Sequence, residues 1–168
     1  MKAGYYLRYL ELRESKMIRK LLKKDIPEIV RIHKNCIEQC NAKCYSTSQI
    51  QEWESDVSEH NILIQLESSS WIVLEIKNKI VGFAQYSLKN EELYQLQIDP
   101  NEQGKGYGKM LCEEIFKDFK TNNIKEISLY STLNAVPFYL SLGFEEVKEI
   151  YYPLKKEKME MIEMKRKI

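Results

Sequence analysis

Nowhere does this chain hold the roughly 20 consecutive apolar residues that a membrane helix needs, and its first residues lack the apolar core and small-residue cleavage site of a secretion signal. The expectation is a cytoplasmic protein that does not enter a membrane. Charge of one sign is missing as well: 26 basic and 25 acidic residues leave a net charge of +1. No bulk field then recruits nucleic acid or an anionic surface, so no nucleic-acid partner is expected and small-molecule chemistry is the reading to pursue. Internal repeats, linkers and low-complexity segments are absent too. The 168 residues, 43% of them apolar, suit one domain that covers a sheet on both faces.

Metal-ligand spacing is also wanting. Cys36, Cys40 and Cys44 recur every four residues, with His33 three before the first. On a continuous helix, positions i, i+4 and i+8 drift around the axis and do not converge on one tetrahedral ion. With Cys112, these thiols read as reduced small hydrophobes on core-facing stripes, and no metal is expected.

What the chain does have is a concentration of glycine at Gln103 to Lys109, QGKGYGK, between the strand-like run Leu93 to Ile98 and the amphipathic run Met110 to Phe119. Alternate glycines let backbone amides turn toward one point at a helix N-terminus, where unpaired N–H groups and the helix dipole favour a phosphate. Neither GxxxxGK[ST] nor GxGxxG can be written over Gly104, Gly106 and Gly108. Lys109 is followed by Met110, which has no hydroxyl for Mg2+, and the third glycine of a dinucleotide loop would have to stand at Lys109.

The periodicity predicts α+β architecture: a mixed, mostly antiparallel central sheet flanked by about four helices. Met1 to Lys16 reads as an N-terminal extension of uncertain status, with translation able to begin at Met17, and residues 17–168 as a single domain. Asp25 with Pro27 opens a helix to about Asn41, and Ser46 or Ser48 caps a short one over Gln49 to Glu54. Trp71 to Ile76, Ile80 to Tyr86 and Glu92 to Ile98 form an antiparallel meander. The glycine loop, a helix over Met110 to Phe119 and a strand over Ile124 to Tyr130 then make a parallel crossover. Asn134 and Pro137 open a further helix that Gly143 ends, and Phe144 to Ile150 with Met159 to Lys165 close a hairpin.

In this setting two motifs resemble those of the GNAT superfamily of acetyl-CoA-dependent N-acetyltransferases. Ile98-Asp-Pro100 leads into Gln103-Gly-Lys-Gly106-Tyr-Gly108, which matches [QR]xxGx[GA] at every defining position. Ala135-Val-Pro-Phe138-Tyr139-Leu-Ser-Leu-Gly143-Phe144 matches the later A-x-x-F/L-Y-x-x-x-G-F segment. Many members place asparagine three residues before that alanine. This chain has Thr132 there and Asn134 immediately before the alanine, and either is a candidate cofactor contact.

The resemblance implies an acyltransferase that uses acetyl-CoA as co-substrate. Its pyrophosphate would lie on the amides of Gly104, Lys105, Gly106, Tyr107, Gly108 and Lys109, with Gln103 as a further donor, and its pantetheine would pair with the main chain of Leu96, Gln97 and Ile98. Lys105 and Lys109 would either face the adenosine phosphates or simply be solvated. Tyr139 matches the family's general acid, protonating the thiolate expelled from a tetrahedral intermediate, and a backbone N–H at the strand end would polarise the thioester carbonyl. Glu92 is the leading candidate for the base that the acceptor amine needs, with His33, His60 and Asp56 as alternatives. Trp53, Tyr45, Phe83 and Tyr86 are candidate walls of an acceptor pocket that would suit a cationic primary amine such as a polyamine, amino sugar or amino acid. A peptide or protein amine as acceptor, or a non-catalytic CoA-binding module, are the alternatives. The protein is expected to be a monomer or homodimer.

Overall fold

The computed structural model describes residues 15–168, so the expected extension, Met1 to Lys16, lies largely outside the described residues. The first strand, β1 (Lys16–Lys20), runs into α1 (Ile26–Gln39). Helices α2 (Thr47–Asp56) and α3 (Glu59–Gln65) follow, then the meander β2 (Ser70–Ile76), β3 (Lys79–Ser87) and β4 (Glu92–Ile98). Next come α4 (Tyr107–Thr121), β5 (Glu126–Thr132), α5 (Val136–Ser141), β6 (Glu145–Pro153) and β7 (Lys158–Lys167). The expected α+β class with a mixed, mostly antiparallel sheet is what the chain adopts, with seven strands ordered β1-β2-β3-β4-β5-β7-β6.

Two expected helix caps need correction. Five α-helices stand among the described residues, in keeping with the expected about four; the additional one is α3, capped by Ser58 through Asn61 N, which carries too little apolar periodicity to be seen. Asp25 does not cap α1 through its side chain: its carboxylate accepts from Leu22 N at 2.8 Å and from Arg19 at 2.6 Å, so it ties β1 to the turn before the helix. Asn134 does not cap α5 either, since its Oδ1 accepts from Asn41 Nδ2 at 3.1 Å. The first helix also ends at Gln39, leaving Cys40 and Cys44 beyond it. Among the described residues no group of three His, Cys, Asp or Glu could hold a metal ion.

The sheet has apolar residues on both faces and helices on both sides. Ile26, Ile29 and Ile32 of α1 pack with Trp71, Val73 and Phe83 on one face. Leu111, Ile115 and Phe119 of α4 pack with Leu74, Ala84, Leu93 and Leu129 on the other. Two irregularities shape the middle. Between the pairs Gln85↔Gln95 and Tyr86↔Leu93, strand β4 holds one extra residue, Tyr94, a bulge that bends the strand. Parallel pairing of β4 with β5 is confined to Glu92↔Ser128 and Leu93↔Leu129, after which the two strands part. That splay opens the sheet where the glycine loop begins.

Candidate active site

A cavity of about 870 Å3 occupies the splay and reaches the loop and helices on either side. Its floor is β4. Asp99 N donates to Val81 O at 2.9 Å, which sets Asp99, Gln97 and Gln95 as the residues whose backbones bond β3. By antiparallel alternation Leu96 and Ile98 turn their N–H and C=O groups the other way, into the gap beside β5. Ile98 O there accepts from Cys36 Sγ and from Gln103 Nε2, each at 3.1 Å. Gln103 is thus held against the strand end, while the amides of Leu96 and Ile98 face the gap.

The strand end is fixed by Asp99, 1% exposed, whose carboxylate accepts from Arg31 of α1 at 2.7 Å and from Asn101 N at 3.0 Å. Burial raises the Asp99 pKa, but Arg31 and the Asn101 amide outweigh it and hold the carboxylate below its usual range. The loop that follows turns through Gly104 and Gly106, with φ of 77° and 80°, a conformation that costs an L side chain roughly 1–2 kcal/mol. Gly106 precedes the first turn of α4, and Met110 N returns to Gly106 O, so the amides of Tyr107, Gly108 and Lys109 lie ahead of the helical ladder. Gly108 is glycine for room instead: a Cβ would sit 3.0 Å from the Phe138 ring. Fifteen residues of aligned helix dipole stand behind these amides, a cradle suited to a pyrophosphate.

Tyr139 of α5 lines the same cavity and is 7% exposed, packed edge-on against Phe138 and Phe144. Burial, with a smaller contribution from Cys112, pushes its phenol pKa well above the ordinary value, so the hydroxyl keeps its proton at neutral pH. Glu92 also lines the cavity, at the bottom of the splay, and burial followed by the Glu163 carboxylate raises its pKa above the usual carboxylate value. The two groups have opposite aptitudes, one to donate a proton and one to take it. His33, by contrast, is brought down to about 4 by burial and is a poor base.

Gln103, Gly104, Gly106, Tyr107, Gly108, Lys109, Leu96, Gln97, Ile98, Thr132 and Asn134 all meet at this cavity. Lys105 does not line it; its ammonium pairs with Glu102 at 2.7 Å. Of the candidate acceptor walls, Trp53 lines the cavity and three others do not. Phe83 is fully buried between His33 and Trp71. Tyr86 points to the α4 face and donates to Asp118 at 2.7 Å. Tyr45 braces β7 and the turn before α5, donating to Glu160 O at 2.8 Å and accepting from Leu133 N at 3.1 Å. His60 is absent from the wall, and Asp56 is in it but paired with Lys155 at 2.7 Å. Gln85, Gln95 and Asn61 are wall residues that the sequence alone did not single out. The signal was there for the first two: glutamines placed inside apolar strands, at cross-strand positions.

A family model described as Acetyltransferase (GNAT) domain matches residues 41–168. The chain belongs to the GNAT acetyltransferase family. Among solved structures, this GNAT chain is similar to a GCN5-related N-acetyltransferase from Rhodopseudomonas palustris, with a TM-score of 0.86 at 19% identity over 94% of this chain and 99% of that one. It is also similar to the paia N-acetyltransferase of Thermoplasma acidophilum solved in complex with coenzyme A, with a TM-score of 0.77 at 23% identity, covering 92% and 99%. At such identities the likeness is one of fold.

Among curated proteins, an uncharacterized N-acetyltransferase, ycf52, of Gracilaria tenuistipitata var. liui is 35% identical over 86 residues, 46% of this chain and 47% of that protein. The [ribosomal protein bS18]-alanine N-acetyltransferase of Salmonella typhimurium is 31% identical over 87 residues, covering 48% and 59%. A chloroplastic GCN5-related N-acetyltransferase of Arabidopsis thaliana is 33% identical over 72 residues, 28% of its length. The GNAT chain therefore spans at most about three-fifths of these relatives. Among the described residues no helix is long and apolar enough to cross a membrane.

Proposed function

We propose that this GNAT protein transfers the acetyl group of acetyl-CoA to the primary amine of a small molecule. The observation that carries the reading is the splay of β4 from β5, which joins the glycine-loop amides, the free strand edge at Leu96 and Ile98, the protonated Tyr139 hydroxyl and Glu92 in one cavity. Acetyl-CoA supplies the activated acyl group as a thioester. The amides of Tyr107, Gly108 and Lys109 receive its pyrophosphate, and the Leu96 N–H and C=O with the Ile98 N–H pair with the pantetheine arm as a neighbouring strand would, the Ile98 carbonyl being taken by Cys36 and Gln103.

Glu92, half-buried and raised in pKa, takes a proton from the acceptor's ammonium and leaves a neutral amine to attack the carbonyl. A strand amide facing the gap donates to the oxyanion, a contribution worth roughly 3 kcal/mol. Tyr139 then gives its proton to the departing sulfur, and its phenolate takes up the second proton that the nitrogen sheds as the amide forms. The work is divided among the elements, since the loop binds, the strand orients and polarises, Glu92 removes a proton and Tyr139 supplies one.

The second reading, acetylation of a peptide N-terminus, is favoured by the match to the bS18-alanine N-acetyltransferase. CoA thiol release over a panel of small amines and short peptides separates the two. Turnover on small amines supports the proposal, and turnover confined to peptides replaces it with the second reading.

A further inference from the structure

On the α1 face of the sheet a row of side chains has its hydrogen-bond directions fixed in succession. Ser69 Oγ lies 2.7 Å from Gln65 O, a group that only accepts, so the hydroxyl proton is committed there. The same oxygen lies 3.1 Å from Trp71 Nε1, a group that only donates. Ser69 has no second proton, so at 2.9 Å it can only accept from Gln85, and the Gln85 amide must turn its nitrogen to the serine and its oxygen outward. That oxygen, 2.6 Å from Gln95, requires the Gln95 nitrogen in turn. The row therefore ends on Gln95 Oε1, which is buried, lacks a hydrogen-bond partner and belongs to a residue of the cavity wall.

Such an atom calls for an N–H or O–H donor. A buried carbonyl oxygen left unpaired costs roughly 1–3 kcal/mol, and a ligand that donates to it removes the cost. His33 Nε2 is a second buried atom without a partner in the same wall, on a side chain 9% exposed that stands edge-on to Trp53. Of the carboxylates that line the cavity, Asp56 and Glu102 are each paired with a lysine outside it at 2.7 Å and Glu92 stands with a raised pKa; its one lysine among the described residues is Lys109 in the first turn of α4, and none of the described arginines is in the wall. A carboxylate-bearing acceptor meets no counter-ion beside Gln95.

We propose that Gln95 selects the acceptor: its Oε1 accepts a hydrogen bond from a second donor, a hydroxyl or a further amine, carried by a small cationic amine without a carboxylate. Gln85 and Ser69 are positioning residues that hold the Gln95 amide in the accepting orientation. This rests on the amine-acetylation reading above and narrows its substrate class from primary amines in general to amino alcohols and diamines.

The test compares an amino alcohol, a diamine, an alkyl amine of equal length and an amino acid as acceptors for the wild type, Gln95→Met and Ser69→Ala. The wild type should favour the donor-bearing amines over the alkyl amine by roughly ten- to a hundredfold in kcat/KM. Gln95→Met should abolish that preference by raising KM for the donor-bearing amines, with KM for acetyl-CoA unchanged. Ser69→Ala, outside the cavity, should weaken the preference in the same direction by a few-fold, because the amides are then free to turn over.

A preference that survives Gln95→Met in a protein with unchanged acetyl-CoA KM overturns the proposal, as does a wild-type preference for the alkyl amine or amino acid. Should Gln95→Met fail to fold, an unaltered preference in Ser69→Ala overturns it equally. Calorimetric binding of the same amines to the CoA complex separates this failure from failure of the catalytic reading. Donor-bearing amines that bind through Gln95 without thiol release keep the site and refute the transfer.

Discussion

Mild acid should destabilise this protein through His33, and the size of the effect follows from its surroundings. The imidazole is 9% exposed, between the rings of Trp53 and Phe83, and burial lowers its pKa from 6.5 to about 4. In the unfolded chain it takes up a proton as the pH falls through about 6.5, whereas the folded protein does so only near 4. Between these values the unfolded state binds more protons, so stability falls as pH falls, by about 3 kcal/mol across the whole window and roughly 2 kcal/mol between about pH 7 and pH 5. Asp25 and Asp99 have lowered pKa values and lose their contribution at more acid pH, in wild type and variant alike. Urea unfolding followed by the fluorescence of Trp53 and Trp71 at the two pH values, for wild type and His33→Leu, isolates the imidazole's share. The wild type should lose about 2 kcal/mol more than the variant. Equal losses would refute the assignment of a buried neutral imidazole.

Three further perturbations address the cavity. Tyr139→Phe should lower kcat by about a hundredfold while leaving KM for acetyl-CoA within about twofold, and near-wild-type turnover would remove Tyr139 from the chemistry. Wild-type kcat/KM should fall as pH drops through a group that titrates above the ordinary carboxylate value, and Glu92→Gln should lose that limb along with most of the activity; an identical pH profile in the variant assigns the proton to another group. Asp99→Ala releases Arg31 and the Asn101 amide from the end of β4, so thermal unfolding should show a loss of about 2 kcal/mol together with weaker acetyl-CoA binding.

The glycine-loop side of the cavity was legible because its requirements are local. A helix start, two left-handed glycines and a glutamine that reaches back to Ile98 O are all specified within a few residues of QGKGYGK. The opposite side depends on relations between distant segments. Phe83 and Tyr86 are apolar residues of one strand, and only the pairing of β3 with its neighbours decides that one packs under α1 and the other bonds Asp118. Composition suggests Tyr45 for the wall, yet its hydroxyl joins Glu160 and Leu133, 115 and 88 residues away. The bulge at Tyr94 carries no turn residue to betray it, and without it the parting of β4 from β5 has no sequence signature. Helix α3 escaped for a different reason: seven residues with Ile62 as their only buried side chain show no amphipathic period.

Acetyl transfer from acetyl-CoA to an amine within the β4–β5 splay can be followed on the product itself, by mass spectrometry of the acceptor after incubation with enzyme and acetyl-CoA carrying an isotopically labelled acetyl group. One labelled amide should form for each CoA released, and both should disappear together in the Tyr139→Phe, Glu92→Gln double variant. Tight acetyl-CoA binding without any labelled product, across small amines and peptide N-termini alike, would show that the cavity does not carry out the transfer.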